Sequence, residues 1–227
     1  MKILKLIQLV IYVCIILGTS LSADQITILH INDHHSHLRA DKRMGIKIDG
    51  KSTRTISGGF PAVVSMFKNL SNGKDNVIKL HAGDAITGDL YYTLFKGEAD
   101  AKLMNEVCFD AFTVGNHEFD DGDSGLARFL DFLSEGKCKT TVLGANIVPE
   151  VGVSKLAKNT ATDYLKPYTI VEKAGIKVGI VGIDIVSKTT VSSNPDMSTK
   201  FLNETTTAQK YVDELTSKGI KHIILLT

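Results

Sequence analysis

The chain has 227 residues, of which 43% are apolar and 22% are charged, and its formal net charge is +1. This composition is typical of a globular domain with a substantial core, and it excludes a disordered or low-complexity chain. The nearly balanced charge provides no basic surface, so binding of nucleic acid by charge alone is not expected.

Residues 1–23 have the order of a secretory signal sequence. Lys2 and Lys5 precede an uncharged apolar run, and small residues follow it where a peptidase would cut. A membrane anchor is the alternative, but the run is short for a membrane span. We therefore expect an extracytoplasmic protein, periplasmic or secreted, with no stable membrane insertion after cleavage. Export would permit a disulfide between Cys108 and Cys138, and the alternative is two buried thiols.

After residue 23, apolar and β-branched runs alternate with amphipathic segments. The runs predict strands at 25–32, 76–83, 109–115, 140–146 and 221–227, and a hairpin over 168–184 that turns at Ala174-Gly175. The amphipathic segments predict helices at 58–72, 90–107, 124–135 and 204–219, and residues 147–167 are expected to be irregular. This alternation predicts an α/β domain whose sheet is covered by helices.

Three polar clusters directly follow predicted strands: "INDHHSH", "HAGDAITGD" and "TVGNHEFDDGD". In open α/β sheets, ligand sites form at the carboxyl ends of the strands. We therefore expect one crevice to collect the chemically useful side chains of these clusters, which are Asp33, His35, Asp84, Asn116 and His117.

The first two clusters offer metal ligands. In extended backbone, residues two apart face the same side, so Asp33 and His35 would bind one ion through an oxygen and a nitrogen. Such donors suit Zn²⁺, Mn²⁺, Co²⁺ or Fe. Asp84 has two carboxylate oxygens and would bridge two cations. The alternatives are a solvated loop, with His34 and His37 as solvent-facing neighbours, and a helix-capping role for Asp84.

The third cluster combines an amide, an imidazole and carboxylates. Asn116 offers a neutral carbonyl oxygen to a second ion. Asp120 lies three residues after His117, where it would accept the ring N–H, orient the imidazole and favour its charged form. The alternatives are an ordinary hydrogen-bonded histidine and a helix N-terminus that attracts carboxylates, and we expect the latter to hold for Asp121 and Asp123.

Together, the patterns D-x-H, G-D and G-N-H-E resemble the metallophosphoesterase signature. The stretches "LHINDHHSH", "GDAITGD" and "GNHEFD" are similar to the 5'-nucleotidase family of calcineurin-like metallophosphoesterases. This resemblance implies a four-layer α/β/β/α sandwich. It also implies two divalent metal ions, with Asp33 and His35 as ligands of the first, Asn116 as a ligand of the second, and Asp84 as the bridging carboxylate.

The resemblance further implies that His117 and Asp120 form the catalytic dyad that stabilises the transition state, and that Asn116 and His117 contact the substrate. It implies an exported metal-dependent hydrolase of nucleotide phosphate esters, whose partner is a small-molecule nucleotide. The alternatives are the same chemistry on a 2',3'-cyclic nucleotide, NAD, a UDP-sugar or a sulfur ester, or a secreted metal- or ligand-binding fragment without catalysis.

We interpret residues 24–227 as a metallophosphoesterase domain that is incomplete at its C-terminus. In the family that the chain resembles, a metal-binding histidine follows a strand like "HIILLT", and further histidine ligands and a base-binding domain come later. We therefore expect part of the metal shell and the substrate-binding domain to be absent from these residues.

Overall fold

The computed structural model describes residues 25–41, 44–56 and 58–227, and the predicted signal sequence at residues 1–23 lies outside this part of the chain. The strands are β1 Thr27–Ile31, β2 Met44–Ile48, β3 Lys51–Thr55, β4 Val77–His81, β5 Ala111–Thr113, β6 Thr141–Leu143, β7 Ile147–Pro149, β8 Tyr168–Lys173, β9 Ile176–Gly182, β10 Thr199–Phe201 and β11 His222–Leu226. The helices are α1 Gly59–Ser71, α2 Leu90–Phe95, α3 Glu98–Val107, α4 Gly122–Ser134, α5 Val186–Ser192 and α6 Glu204–Ser217, with a 3₁₀ turn at His117–Phe119. None of the helices in the described residues combines the length and the apolar character that a membrane crossing needs.

A parallel sheet carries the three polar clusters. Its strand order is β1–β4–β5–β6, with Ile31 opposite His81 and Leu80 opposite Ala111. The sequence "VIKLH" of β4 is buried along nearly its whole length, as expected for a central parallel strand covered on both faces. Because the four strands run in the same direction, the loops that follow β1, β4 and β5 leave the same edge of the sheet.

A second sheet has the order β11–β9–β8. Strands β8 and β9 form the predicted hairpin, and Ala174 and Gly175 at its turn have left-handed φ values of 47° and 79°. Two consecutive left-handed residues are what a type I' turn requires. Strand β11 runs parallel to β9 on its other side.

The two sheets pack face to face between two layers of helices. Leu80 of β4 and Ile180 of β9 belong to one buried apolar cluster between the sheets. On the outer face of the first sheet, Phe112 packs against Phe129 of α4 with ring centroids 5.9 Å apart. On the outer face of the second sheet, Leu215 of α6 is fully buried. This arrangement confirms the four-layer α/β/β/α sandwich.

The helix predicted over residues 90–107 is two helices, so the prediction of one continuous helix was wrong. Between α2 and α3, Lys96 and Gly97 have left-handed φ values of 52° and 93°. A Cβ atom on Gly97 would lie 3.0 Å from the ring of Phe129. Helix α4 packs closely against the turn that separates the two helices. The periodicity of apolar residues in 90–107 cannot predict this contact, because it involves a distant segment of the chain.

Five described strands and helices have no counterpart among the predicted ones. They are the two strands of the exposed β2–β3 hairpin, strands β7 and β10, and helix α5. Residues 147–167 also contain β7, which pairs antiparallel with β10, so they are not irregular throughout. These elements are short, and the hairpin sequences "MGIKI" and "KSTRT" are exposed at nearly every position. Their sequences therefore lack the buried apolar run on which the strand predictions relied.

Cys108 and Cys138 form a disulfide, with Cα atoms 5.2 Å apart. This finding decides between the paired and the free thiols that the sequence left open. The bond joins the end of α3 to the segment that leads into β6.

Candidate functional site

The loop after β1 places Asp33 and His35 side by side, with Asp33 Oδ1 3.4 Å from His35 Nε2. Both residues have left-handed φ values, 51° and 47°. The extended backbone from which their proximity was predicted is therefore wrong. Instead, Asp33 N donates to Gly83 O at 3.0 Å and His35 N donates to Asp84 O at 3.1 Å. These bonds hold the loop against the one that follows β4.

Asp84 lies between this pair and His117. Its Oδ1 accepts the backbone N–H of His117 at 3.0 Å. Burial raises the pKa of the Asp84 carboxyl, against the hydrogen bond and the charge of His117. Gly115 allows this close approach, because a Cβ atom there would collide with the Asp84 carboxylate. The glycine of "GNHE" therefore lets the second and third loops meet.

The third loop forms a 3₁₀ turn that begins at His117 and is capped by Asp120. His117 Nδ1 lies 2.8 Å from Asp120 Oδ2, which confirms the predicted hydrogen bond. Burial lowers the pKa of His117, but the hydrogen bond and charge of Asp120 outweigh it, with help from the Asp84 and Glu118 charges, and the net pKa is raised. The ring therefore donates from Nδ1 to Asp120, and its Nε2 stays available to another partner.

The predicted residues converge on one crevice. One donor atom from each of His35, Asp84 and His117 lies within 4.8 Å of the other two. The rings of His35 and His117 meet edge to face, with centroids 4.9 Å apart. Asp33, Asp84 and Asn116 line an adjoining cavity of about 360 Å³. Carboxylate, amide and imidazole donors suit borderline divalent metals, so the residues present fit such ions.

The sequence profile of the family described as calcineurin-like phosphoesterase matches residues 26–226, nearly all of the described chain. The chain belongs to the calcineurin-like phosphoesterase family. It is 42% identical over 203 residues to a probable 5'-nucleotidase of Treponema pallidum, and 44% identical over 206 residues to the NAD 5'-nucleotidase of Haemophilus influenzae. The solved structure of Haemophilus influenzae NAD nucleotidase has a TM-score of 0.79 to this chain, at 44% identity.

These matches cover most of this phosphoesterase chain but a smaller part of its relatives. They include 89% and 90% of the chain for the two curated relatives, and 88% of it for the solved structure. The chain spans 32% of the length of each curated relative and 37% of the chain in that structure.

A buried carboxylate that the sequence analysis missed joins the second and third loops of this phosphoesterase. Glu118 is 1% exposed. It accepts the backbone N–H groups of Asp84 at 2.9 Å, Ala85 at 2.7 Å, Ile86 at 3.2 Å and Gly115 at 2.6 Å. Burial and then the charge of Asp84 raise the pKa of Glu118 to about 8, against these backbone donors. The sequence feature that could have identified Glu118 is its position in "GNHEFD", next to the predicted site residues Asn116 and His117.

His34 does not face solvent, so that prediction was wrong. Its side chain is 9% exposed, with Nδ1 2.9 Å from His81 Nε2 and Nε2 3.2 Å from Asp100 Oδ1. Burial lowers the pKa of His34 against its hydrogen bond to Asp100, and burial also lowers the pKa of His81. The two rings connect the loop after β1 to the end of β4. The other predicted solvent-facing residue, His37, has a side chain that is 44% exposed.

Asp184, which is 1% exposed, is a second residue that the sequence analysis missed. It follows β9 and lines the same cavity as Asp84 and Asn116. Thr189 Oγ1 lies 2.8 and 2.7 Å from its two carboxylate oxygens. Burial raises the pKa of Asp184 to about 7 despite the Thr189 hydrogen bond, and the charges of Asp84 and Glu204 also raise it. The sequence feature that could have identified Asp184 is its position directly after the apolar run "GIVGI". The same pattern, a polar residue after a predicted strand, was used to predict the other site residues.

The acidic residues after the dyad lie at the N-terminus of α4, as expected. Asp121 is the N-cap residue and Asp123 belongs to the first turn. Asp123 is fully buried and accepts hydrogen bonds from the hydroxyl groups of Ser154 and Thr199, both at 2.5 Å. It therefore contributes to the structure around the site rather than to the crevice itself.

Proposed function

We propose that the protein hydrolyses nucleotide phosphate esters with a pair of divalent metal ions and the His117–Asp120 dyad. The observation that carries this proposal is the 2.8 Å contact between His117 Nδ1 and Asp120 Oδ2 beside the donor atoms of His35 and Asp84. The substrate class is supported by the two relatives, a probable 5'-nucleotidase and an NAD 5'-nucleotidase. A small-molecule nucleotide is therefore the proposed substrate.

The metal-binding part of the proposal uses four residues. Asp33 and His35 would hold a first ion, Asn116 would hold a second, and Asp84 would contact both. When bound, a pair of divalent ions clamps the phosphoryl oxygens and makes a hydroxide available near neutral pH. Zn, Mn, Co and Fe all accept these oxygen and nitrogen donors.

His117 is proposed to act as the electrophilic group and proton donor of the site. Asp120 Oδ2 lies 2.8 Å from His117 Nδ1, and an acceptor with negative charge at that distance favours the charged form of the ring. Because Asp120 accepts from Nδ1, the proton on Nε2 is the one that would be donated to the oxygen on which charge develops. Such donation contributes roughly 10²–10⁴-fold to the rate of comparable reactions. Asn116 and His117 would both contact the phosphate.

The test is His117→Ala in the natural full-length protein. Phosphate release from a nucleoside 5'-monophosphate, with added Mn²⁺ or Zn²⁺, is expected to fall by roughly 10²–10⁴-fold. Metal content, measured by elemental analysis, is expected to stay the same because His117 is not one of the proposed ligands. His222→Ala is the matched control, since His222 is exposed on β11.

Normal turnover of His117→Ala would refute the dyad. Loss of metal together with activity would instead make His117 a ligand, a role that its closeness to His35 and Asp84 also permits. If the unaltered full-length protein binds metal but cleaves neither a nucleoside 5'-monophosphate nor any of the alternative esters named below, the protein is a metal-binding module without catalysis.

NAD is a second candidate substrate, because 44% identity and a TM-score of 0.79 relate the chain to an NAD nucleotidase. The same centre would cleave a 2',3'-cyclic nucleotide, a UDP-sugar or a sulfur ester if the groups around it bound them. Comparing kcat/KM for NAD, a 5'-monophosphate and these esters ranks them directly. A higher kcat/KM for one of the other esters would make that ester, rather than the 5'-monophosphate, the proposed substrate.

We also propose that the protein is exported, periplasmic or secreted. The order of charged, apolar and small residues in 1–23 supports this, as does the Cys108–Cys138 disulfide, because such bonds persist in oxidising compartments. Protein recovered outside the cytoplasm is expected to begin near residue 24. Recovery of the unprocessed chain in the cytoplasm would contradict export.

A further inference from the structure

The segment after α5 lies against the 3₁₀ turn that carries the dyad. Asn194 donates its backbone N–H to Phe119 O at 3.1 Å and its side-chain amide to Asp120 O at 3.0 Å. Ser193 donates from Oγ to Asp120 Oδ1 at 2.8 Å. Residues more than 70 positions later in the chain therefore hold the turn.

These contacts use both oxygens of the Asp120 carboxylate. Oδ2 faces His117 Nδ1 at 2.8 Å, and Oδ1 accepts from Ser193 at 2.8 Å. A carboxylate bound at only one oxygen is free to rotate about its last bond, whereas one bound at both has a fixed plane. The hydroxyl of Ser193 therefore sets the direction in which Asp120 receives the imidazole N–H.

The same hydroxyl also accepts a hydrogen bond from the metal-ligand candidate. Asn116 Nδ2 lies 3.4 Å from Ser193 Oγ, and a serine hydroxyl donates once while accepting at its lone pairs. When the amide nitrogen of Asn116 faces Ser193, its carbonyl oxygen must point the other way. The carbonyl oxygen is the atom that a cation would need.

We propose that Ser193 is a positioning residue for phosphate-ester hydrolysis, which couples the orientation of the Asp120 carboxylate to that of the Asn116 amide. This inference rests on the proposed function. Ser193 acts through Asp120 and Asn116 and not through contact with the substrate. Its removal should therefore weaken transition-state stabilisation without weakening the initial binding of substrate.

The test compares Ser193→Ala, Ser193→Thr and Ser192→Ala in the natural full-length protein. Ser193→Ala is expected to lower kcat and kcat/KM together by roughly 10-fold with KM unchanged, the pattern for an interaction made in the transition state. Ser193→Thr keeps a hydroxyl and is expected to restore most of the turnover. Ser192 is the exposed preceding residue and serves as the matched control.

A readout independent of activity comes from the crystal structure of Ser193→Ala. The Asp120 carboxylate is expected to rotate away from its position in the unaltered protein, while the backbone of the turn stays in place. Metal content is expected to remain at least half that of the unaltered protein, because Asn116 is only one of the proposed ligands.

The outcomes separate this inference from the proposed function. An inactive unaltered protein would refute the proposed function, and the Asp120 orientation in Ser193→Ala would still decide the positioning role. An active unaltered protein with full turnover in Ser193→Ala would refute the inference alone. Equal losses in Ser192→Ala, or no recovery in Ser193→Thr, would assign the effect to local packing and would also refute it.

Discussion

Carboxylates around the site differ mainly in what surrounds them. The side chain of Asp33 is 53% exposed, whereas Glu118 and Asp184 are each 1% exposed as residues. An exposed carboxylate is accessible to an ion. A buried carboxylate instead accepts hydrogen bonds from neighbouring groups, and its pKa is raised because burial disfavours the charged form. Sequence reasoning found the first kind by residue type and spacing, but it missed the second because burial depends on neighbours that lie far away in the chain.

Asp184 should make folding stability depend on pH. Its folded-state pKa of about 7 lies above its ordinary value of 3.8, so the folded protein keeps this proton after the unfolded chain has lost it. Stability is therefore expected to fall as pH rises from about 4 to about 7. Asp184→Asn does not titrate and still accepts from Thr189, so it should lose less stability across this window.

Thermal unfolding of the metal-free protein, followed across these pH values, measures the effect. Asp75→Asn is the matched control because it alters an exposed aspartate. Glu118, with a pKa of about 8, contributes a slope of the same sign in every variant, so the difference between variants isolates Asp184. Parallel curves for the unaltered protein and Asp184→Asn would show that Asp184 does not hold a proton in the folded state.

At the scale of elements, turns were predicted well where their chemistry is local. The turn at Ala174-Gly175 could be predicted without knowledge of the rest of the molecule, because a tight hairpin is a local structure. Its two left-handed residues between apolar strands are what such a turn requires. The break at Gly97 was missed because it depends on the ring of Phe129, more than thirty residues away. Helix α5 was missed because seven residues show too little periodicity to identify.

The helix break provides a prediction of its own. Gly97→Ala should lower the free energy of unfolding by about 2–4 kcal/mol, through left-handed strain plus overpacking against Phe129. A Cβ atom at residue 97 would lie 3.0 Å from that ring, and the φ of Gly97 is +93°. Urea denaturation measures the change.

Gly73→Ala separates the two contributions. Gly73 also has a left-handed φ, +69°, but a Cβ atom there would have nothing within 4 Å. Its expected loss is therefore only about 1–2 kcal/mol, from backbone strain. Equal losses at residues 73 and 97 would show that contact with Phe129 contributes nothing.

At the scale of the whole molecule, the site is produced by two sheets and not by one. The parallel sheet brings Asp33, Asp84 and Asn116 to a common edge, and the second sheet delivers Asp184 and the segment with Ser193 to the same place. The apolar cluster shared by Leu80, Ile180 and their neighbours fixes the distance between the sheets. Residues from the two halves of the chain therefore share one cavity.

The sequence by itself determined the order of the longer strands and most of the longer helices, the three loops and the residue types that converge there. It did so because buried strands need apolar runs, and because parallel strands must end at a common edge. Only the tertiary structure decided that His34 turns inward, that Glu118 joins two loops and that Ser193 reaches Asp120. Those contacts connect segments far apart in the chain, and their distances depend on how the layers pack, which no local pattern of residues encodes.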